Sequence, residues 1–243
     1  TAEGSEGYPV WTEDDARVAF GAADDTSIEW RASNNTGVVE VLTSAVGNGT
    51  QRPTPYFFAA ENSLLVFREQ AHPDTRDNIG MISLEDTSEP VWLVASEFNE
   101  RNADLSPDGR WMAYQSDESG QFEIHVRPFP NVDDDLRVIS TTGGVKPLWS
   151  RDGRELFYIQ PGQPARLMVV PVQTGPAFGH QSPEALLEWP YDWGNEGRTY
   201  DVSLDGQRFL VVKPVDSDQD APPPQINIVL NWVEELKRLV PVQ

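Results

Sequence analysis

A four-residue turn that recurs along the chain limits its folding more than any other feature. It reads Ser106-Pro107-Asp108-Gly109, Ser150-Arg151-Asp152-Gly153 and Ser203-Leu204-Asp205-Gly206. An apolar residue precedes each copy (Leu105, Trp149, Val202), and an apolar run follows it: 111–114, 156–158 and 209–211. These residues suit a hairpin. Serine bonds back to the turn backbone, Pro107 presets φ at its position, and Asp108, Asp152 and Asp205 tolerate the next. Gly109, Gly153 and Gly206 supply the positive φ that closes a type I turn with a bulge. The recurring aspartates therefore read as turn formers rather than catalytic acids.

Two worn copies extend the series, Trp11-Thr12-Glu13-Asp14-Asp15 and 57–66. With Asp14, Ala60, Asp108, Asp152 and Asp205 taken as equivalent, the steps are 46, 48, 44 and 53 residues. That spacing suits a unit of four short strands. Runs rich in β-branched and aromatic residues, bounded by Gly, Pro, Asn or Asp, predict strands over 8–11, 17–21, 27–31 and 38–42 in the first unit. The second unit has 54–58, 63–67, 78–83 and 91–95. The third has 102–105, 111–115, 122–127 and 136–140, and the fourth has 145–149, 156–159, 166–172 and 185–189. The last unit departs, with strands over 200–203, 208–213 and 225–230 and then a short helix over 231–239. Asn231 caps that helix, with acids in its first turn and bases in its last. The reading is a single all-β domain over 1–243, a β-propeller of about five four-stranded blades. The blades span about 5–47, 48–97, 98–142, 143–193 and 194–243.

Composition narrows the function. With 39 Asp and Glu against 18 Lys and Arg, the net charge of −21 repels nucleic acid and anionic lipid surfaces. No cysteine is present, so disulfides and thiolate chemistry are excluded. No apolar run is long enough to span a membrane, which argues against direct membrane contact. The first residues lack the features of a signal peptide, and the absence of an initial Met suggests a piece excised from a larger chain.

His72, His125 and His180 fall in different units without metal-ligand spacing. Asp216, Asp218 and Asp220 resemble the opening of a calcium loop, but the following Gly is missing and Asn227 stands where the bidentate Glu belongs. No cofactor is expected, although abundant carboxylates leave room for weak Ca²⁺ binding. No Gly-x-Ser-x-Gly elbow occurs.

Binding candidates lie on the segments that lead into the first strand of each unit. Three of these carry a base, Arg52, Arg101 and Lys146, and Arg198 makes a fourth. Together they predict a basic ring at the mouth of a central channel, suited to an anionic or carboxylate-bearing ligand such as a peptide terminus. The plainer expectation is that they neutralise nearby acids. Tyr191 and Trp193, on the aromatic segment before the fifth unit, are candidate contacts. The plainer role of Trp189 and Tyr191 is packing between blades.

The unit 105–116, Leu-Ser-Pro-Asp-Gly-Arg-Trp-Met-Ala-Tyr-Gln-Ser, resembles the repeat of TolB-like, WD-repeat-like propellers. The stretch from Asp104 onward is similar to the C-terminal propellers of bacterial serine/threonine protein kinases, on residues 114–120, 125–130, 149–158 and 230–239. That resemblance implies a non-catalytic sensor or protein-binding domain of a larger receptor-like chain, on the extracytoplasmic side. None of the kinase motifs is here. Related propellers commonly have six or more blades, so the parent chain could carry a sixth. An incomplete ring would expose strand edges and favour a homodimer. The alternative function is a metal-dependent hydrolase or lactonase working at the channel mouth.

Overall fold

The computed structural model describes residues 7–44, 52–61, 63–72, 74–85, 90–191, 193–194 and 197–211. All of them fall within one compact unit, 1–212. Strands and turns account for all the regular structure among the described residues. The predicted strand over 225–230 and the helix over 231–239 lie outside them.

Each repeat forms its own antiparallel sheet, with strands in sequence order. The first holds β1 (Gly7–Trp11), β2 (Arg17–Gly21), β3 (Ser27–Ala32) and β4 (Glu40–Ser44). The second holds β5 (Thr54–Ala59), β6 (Leu64–His72), β7 (Arg76–Ser83) and β8 (Val91–Val94). The third holds β9 (Glu100–Leu105), β10 (Trp111–Ser116), β11 (Glu123–Pro128) and β12 (Arg137–Val138). In the fourth, β13 (Val145–Trp149), β14 (Glu155–Gln160) and the long β15 (Ala165–Gln173) are followed by two short partners of β15. These are β16 (Gly179–His180) and β17 (Glu184–Trp189). Sequence periodicity predicted only the second, because β16 is two residues long. The fifth sheet shows β18 (Tyr200–Val202) and β19 (Phe209–Val211).

The turn between the first two strands of a sheet is built four times from the same bonds. Ser106 Oγ donates to Asp108 Oδ1 (2.7 Å) and accepts from Trp111 N (2.9 Å), and Asp108 Oδ1 also accepts from Arg110 N (3.2 Å). Ser150 with Asp152, Ser203 with Asp205 and Thr12 with Asp14 repeat the pattern. The aspartate is thus an acceptor that satisfies turn donors, beyond merely tolerating its backbone angle. Those bonds, the serine or threonine hydroxyl first, hold the carboxyls of Asp14, Asp152 and Asp205 below their usual range. Gly109, Gly153 and Gly206 have φ of 72°, 69° and 68°, and Asp15 takes the same place at 57°. The second sheet departs, with positive φ at Ala60 and Glu61.

The core lies between successive sheets. Ile28, Phe58, Leu65 and Ile82 join the first to the second, and Val66, Ile79, Met112 and Tyr114 join the second to the third. Trp111, Val126, Leu156 and Phe178 join the third to the fourth, and Phe157, Leu167, Trp189 and Tyr200 join the fourth to the fifth. A sheet covered on both faces loses the apolar–polar alternation, and every residue of β10 and β13 is buried. His125 belongs to this packing, edge-on to Tyr114 at 5.4 Å, and burial lowers its pKa.

The innermost strands share a further device. β1, β5, β9 and β13 each slip register against the next strand, between Gly7 and Val10, Pro55 and Phe57, Arg101 and Asp104, and Val145 and Leu148. Tyr8, Asn102 and Lys146 have φ of 58°, 53° and 56° at these bulges. A bulge frees backbone groups from the ladder, and neighbouring sheets take them up. Asn102 N donates to Tyr56 Oη (2.7 Å), Lys146 N to Gln115 Oε1 (2.9 Å), and Tyr200 Oη to Lys146 O (2.8 Å).

Candidate binding cleft

The innermost strands of all five sheets wall one cleft of about 1120 Å³, with residues from β1, β5, β9, β13 and β18. One end is set by the segment before β18, which brings Gly197 and Arg198 beside Tyr8 and Lys146. The other is set by the turns, whose residues Glu13, Ala60, Pro107, Asp108, Gly109 and Arg151 also line it.

Of the four predicted bases, two meet here. Arg198 pairs with Asp104 at 2.5 Å, and Lys146 Nζ donates to the Gly197 carbonyl at 2.5 Å. Asp104 is held from its other side by Trp149 N (2.9 Å). Arg52 pairs with Asp25 (3.0 Å) and lines a separate cavity of about 50 Å³. Arg101 pairs with Asp77, which also faces Arg68 at 3.8 Å, and its guanidinium lies over the Phe122 ring. The four therefore do not form one ring, and each of Arg52, Arg101 and Arg198 neutralises an acid.

Tyr191 and Trp193 pack against the core between the fourth and fifth sheets. Tyr191 lies edge-on to Trp189 at 5.4 Å, and the Trp193 carbonyl accepts from Thr199 Oγ1 at 3.3 Å. Neither lines the cleft. Trp11 and Tyr8 do so instead, at 55% and 38% exposed. Sequence reasoning passed over them, along with Arg151, because they sit in a worn repeat and in turns already assigned a structural purpose.

At the start of β9, Glu100 is 2% exposed. Ser96 Oγ donates to its Oε1 at 2.6 Å, and Oε2 has no hydrogen-bond partner among the described residues. Burial, aided by the Asp117 charge, pushes its pKa up to about 7 against the hydrogen bonds from Ser96 and Ser116. Among the described residues no group of three or more His, Asp or Glu is placed to hold a metal ion.

No protein-family model matches the chain, and no curated protein matches it. Solved structures do. TolB from Acinetobacter baumannii matches at 18% identity and a TM-score of 0.57, over 76% of this chain and 45% of that one. A putative TolB from Agrobacterium tumefaciens matches at 14% and 0.59, over 76% and 68%. An oligogalacturonate lyase in complex with manganese matches at 12% and 0.63, over 90% and 61%. The chain thus spans less than half the length of the first of these. At such identities the likeness concerns the fold alone, which is that of the TolB-like β-propellers. The fold carries TolB and a lyase alike, so it leaves the activity open.

Proposed function

We propose that this TolB-like propeller is a binding module that takes a protein or peptide segment into its cleft and performs no chemistry of its own. The observation that carries the reading is the state of the cleft's polar groups. Asp104 and Lys146 have bonds committed to the walls, through Arg198 and Trp149 and through Gly197, and Asp108 spends its Oδ1 on Ser106 and Arg110 N. Beside these groups the lining offers a partner the aromatic and Pro-rich surface of Pro9, Trp11, Pro55, Pro107 and Pro147, together with one exposed base, Arg151. Rigid aromatic surface on a preorganised frame favours recognition, because little side-chain entropy is lost on binding.

The test is to pan a display library of short random peptides on the full chain, then measure the enriched peptides by calorimetry. Enriched sequences that bind the wild-type chain and lose affinity with Trp11→Ala support the reading. No enrichment over a blank surface overturns it.

The manganese-bound lyase favours a second reading, a metal-dependent enzyme at the cleft. It predicts that Mn²⁺ or Ca²⁺ raises the melting temperature and that substitutions in the cleft lining abolish the rise. The larger setting, an extracytoplasmic sensor in a receptor-like chain, rests on the resemblance to kinase-linked propellers. A kinase domain and a membrane span encoded upstream of Thr1 would support it, and a gene starting near Thr1 would sink it.

A further inference from the structure

We propose that Arg151 selects the cleft's partner by pairing with one carboxylate on an otherwise apolar peptide segment that docks at the turn end. The proposal rests on the binding reading above and specifies its ligand.

Arg151 is the variable residue of the turn Ser150-Arg151-Asp152-Gly153. Its backbone is held by the bonds that recur in every intact turn: Ser150 Oγ to Asp152 Oδ1 (2.8 Å), Glu155 N to Ser150 Oγ (2.9 Å) and Arg154 N to Asp152 Oδ1 (3.1 Å). These bonds use the first and third residues of the turn, and none of them uses the Arg151 side chain. The corresponding residues Glu13 and Pro107 line the same cleft, so three of the turns present their variable residues around one mouth. A rigid backbone carrying an exposed side chain is a preorganised contact.

The charges single out Arg151. Three cations line the cleft: Lys146, Arg151 and Arg198. Arg198 is matched to Asp104 and Lys146 to the Gly197 carbonyl. Arg151 is exposed and makes no ion pair with any described residue. The nearby Asp108 accepts from Ser106 and Arg110 N through Oδ1 and makes no ion pair with Arg151. On a chain of net charge −21, an unmatched guanidinium at a cleft mouth is an open site for a carboxylate, which it grips in two-pronged fashion. The same net charge disfavours a run of acids. The half-exposed indole of Trp11 and the ring of Pro107 on the same lining suit apolar neighbours.

The experiment is parallel panning of one random peptide library on the full-length wild type, on Arg151→Glu and on Arg154→Glu. Arg154 is 83% exposed, carries the same charge change and does not line the cleft. Melting temperatures check that both variants are folded. Wild type is expected to enrich peptides with a single Asp or Glu among apolar residues. Arg151→Glu should bind those peptides about tenfold or more weaker and enrich Lys or Arg at that position, whereas Arg154→Glu should behave as wild type. Retention of the acidic motif on Arg151→Glu, or equal loss on Arg154→Glu, overturns the role of Arg151 and leaves the binding reading standing. Failure to enrich any peptide on wild type overturns both.

Discussion

The Arg198 guanidinium reaches across 94 residues of chain to the Asp104 carboxylate, at 2.5 Å. It ties the segment before β18 to β9 of the third sheet, two sheets away, and it decides how the cleft wall should respond to substitution. Asp104 also accepts from Trp149 N through its other oxygen, and the Asp104 carbonyl accepts from the Trp149 indole at 3.2 Å. Asp104→Ala strands a buried amide and should cost about 1–3 kcal/mol. Arg198 is 42% exposed on its side chain, so Arg198→Ala should cost less than about 1 kcal/mol. Urea unfolding of both variants and the double variant should return a coupling of about 0.2–1 kcal/mol. Equal costs for the two single variants would contradict this account.

The repeated turns should differ in worth according to burial. Ser106 is 2% exposed and its hydroxyl accepts from the buried Trp111 N. Ser106→Ala should destabilise by about 1–3 kcal/mol in denaturant melts. Ser203 makes the same bonds at an exposed turn, so Ser203→Ala should cost clearly less. The ordering is the point: a reversed order would show that the shared geometry does not set the contribution.

Gly144 leaves no room for a side chain. A Cβ there would stand 2.5 Å from Ser140 Oγ and 2.7 Å from Ile124 Cγ1, inside the core between the third and fourth sheets. Gly144→Ala should lower stability by about 1–3 kcal/mol through overpacking. An unchanged melting temperature would contradict the packing described for this seam.

Glu100 predicts a pH dependence with a definite sign. An unburied glutamate titrates near 4.5, and in the fold burial pushes this one up to about 7. Between those values the folded chain keeps a proton that the unfolded chain has released. Its contribution therefore falls as pH rises from about 4.5 to about 7. Glu100→Gln cannot ionise and keeps an acceptor for Ser96. The variant should gain melting temperature relative to wild type at pH 8 compared with pH 5. A difference independent of pH would contradict it.

The parts of this fold that could be read from sequence are those governed by local chemistry. The Ser-x-Asp-Gly turns declare themselves because Gly109, Gly153 and Gly206 sit where φ must be positive. The second sheet's turn has no such signal, since Ala60 and Glu61 take positive φ without glycine. The site was harder because it depends on pairing at a distance. Nothing local announces that Arg101 meets Asp77 or that Arg52 meets Asp25, which removes both from the expected ring. Tyr191 and Trp193 looked like contacts because aromatics on a loop suit recognition, but they pack on the core, while Gly197 and Arg198 further along line the cleft. Arg151 was hidden for the opposite reason, because the whole turn had been explained by its structural residues.

The most direct measurement is hydroxyl-radical footprinting of the full chain with and without a peptide enriched on it. Trp11 lines the cleft at 55% exposed, and Trp92 sits on the outer strand β8 at 37%. The account predicts that the peptide protects Trp11 and Tyr8 and leaves Trp92 unchanged. Protection of Trp92 with Trp11 still open would place the partner on an outer edge and contradict the cleft as the binding site.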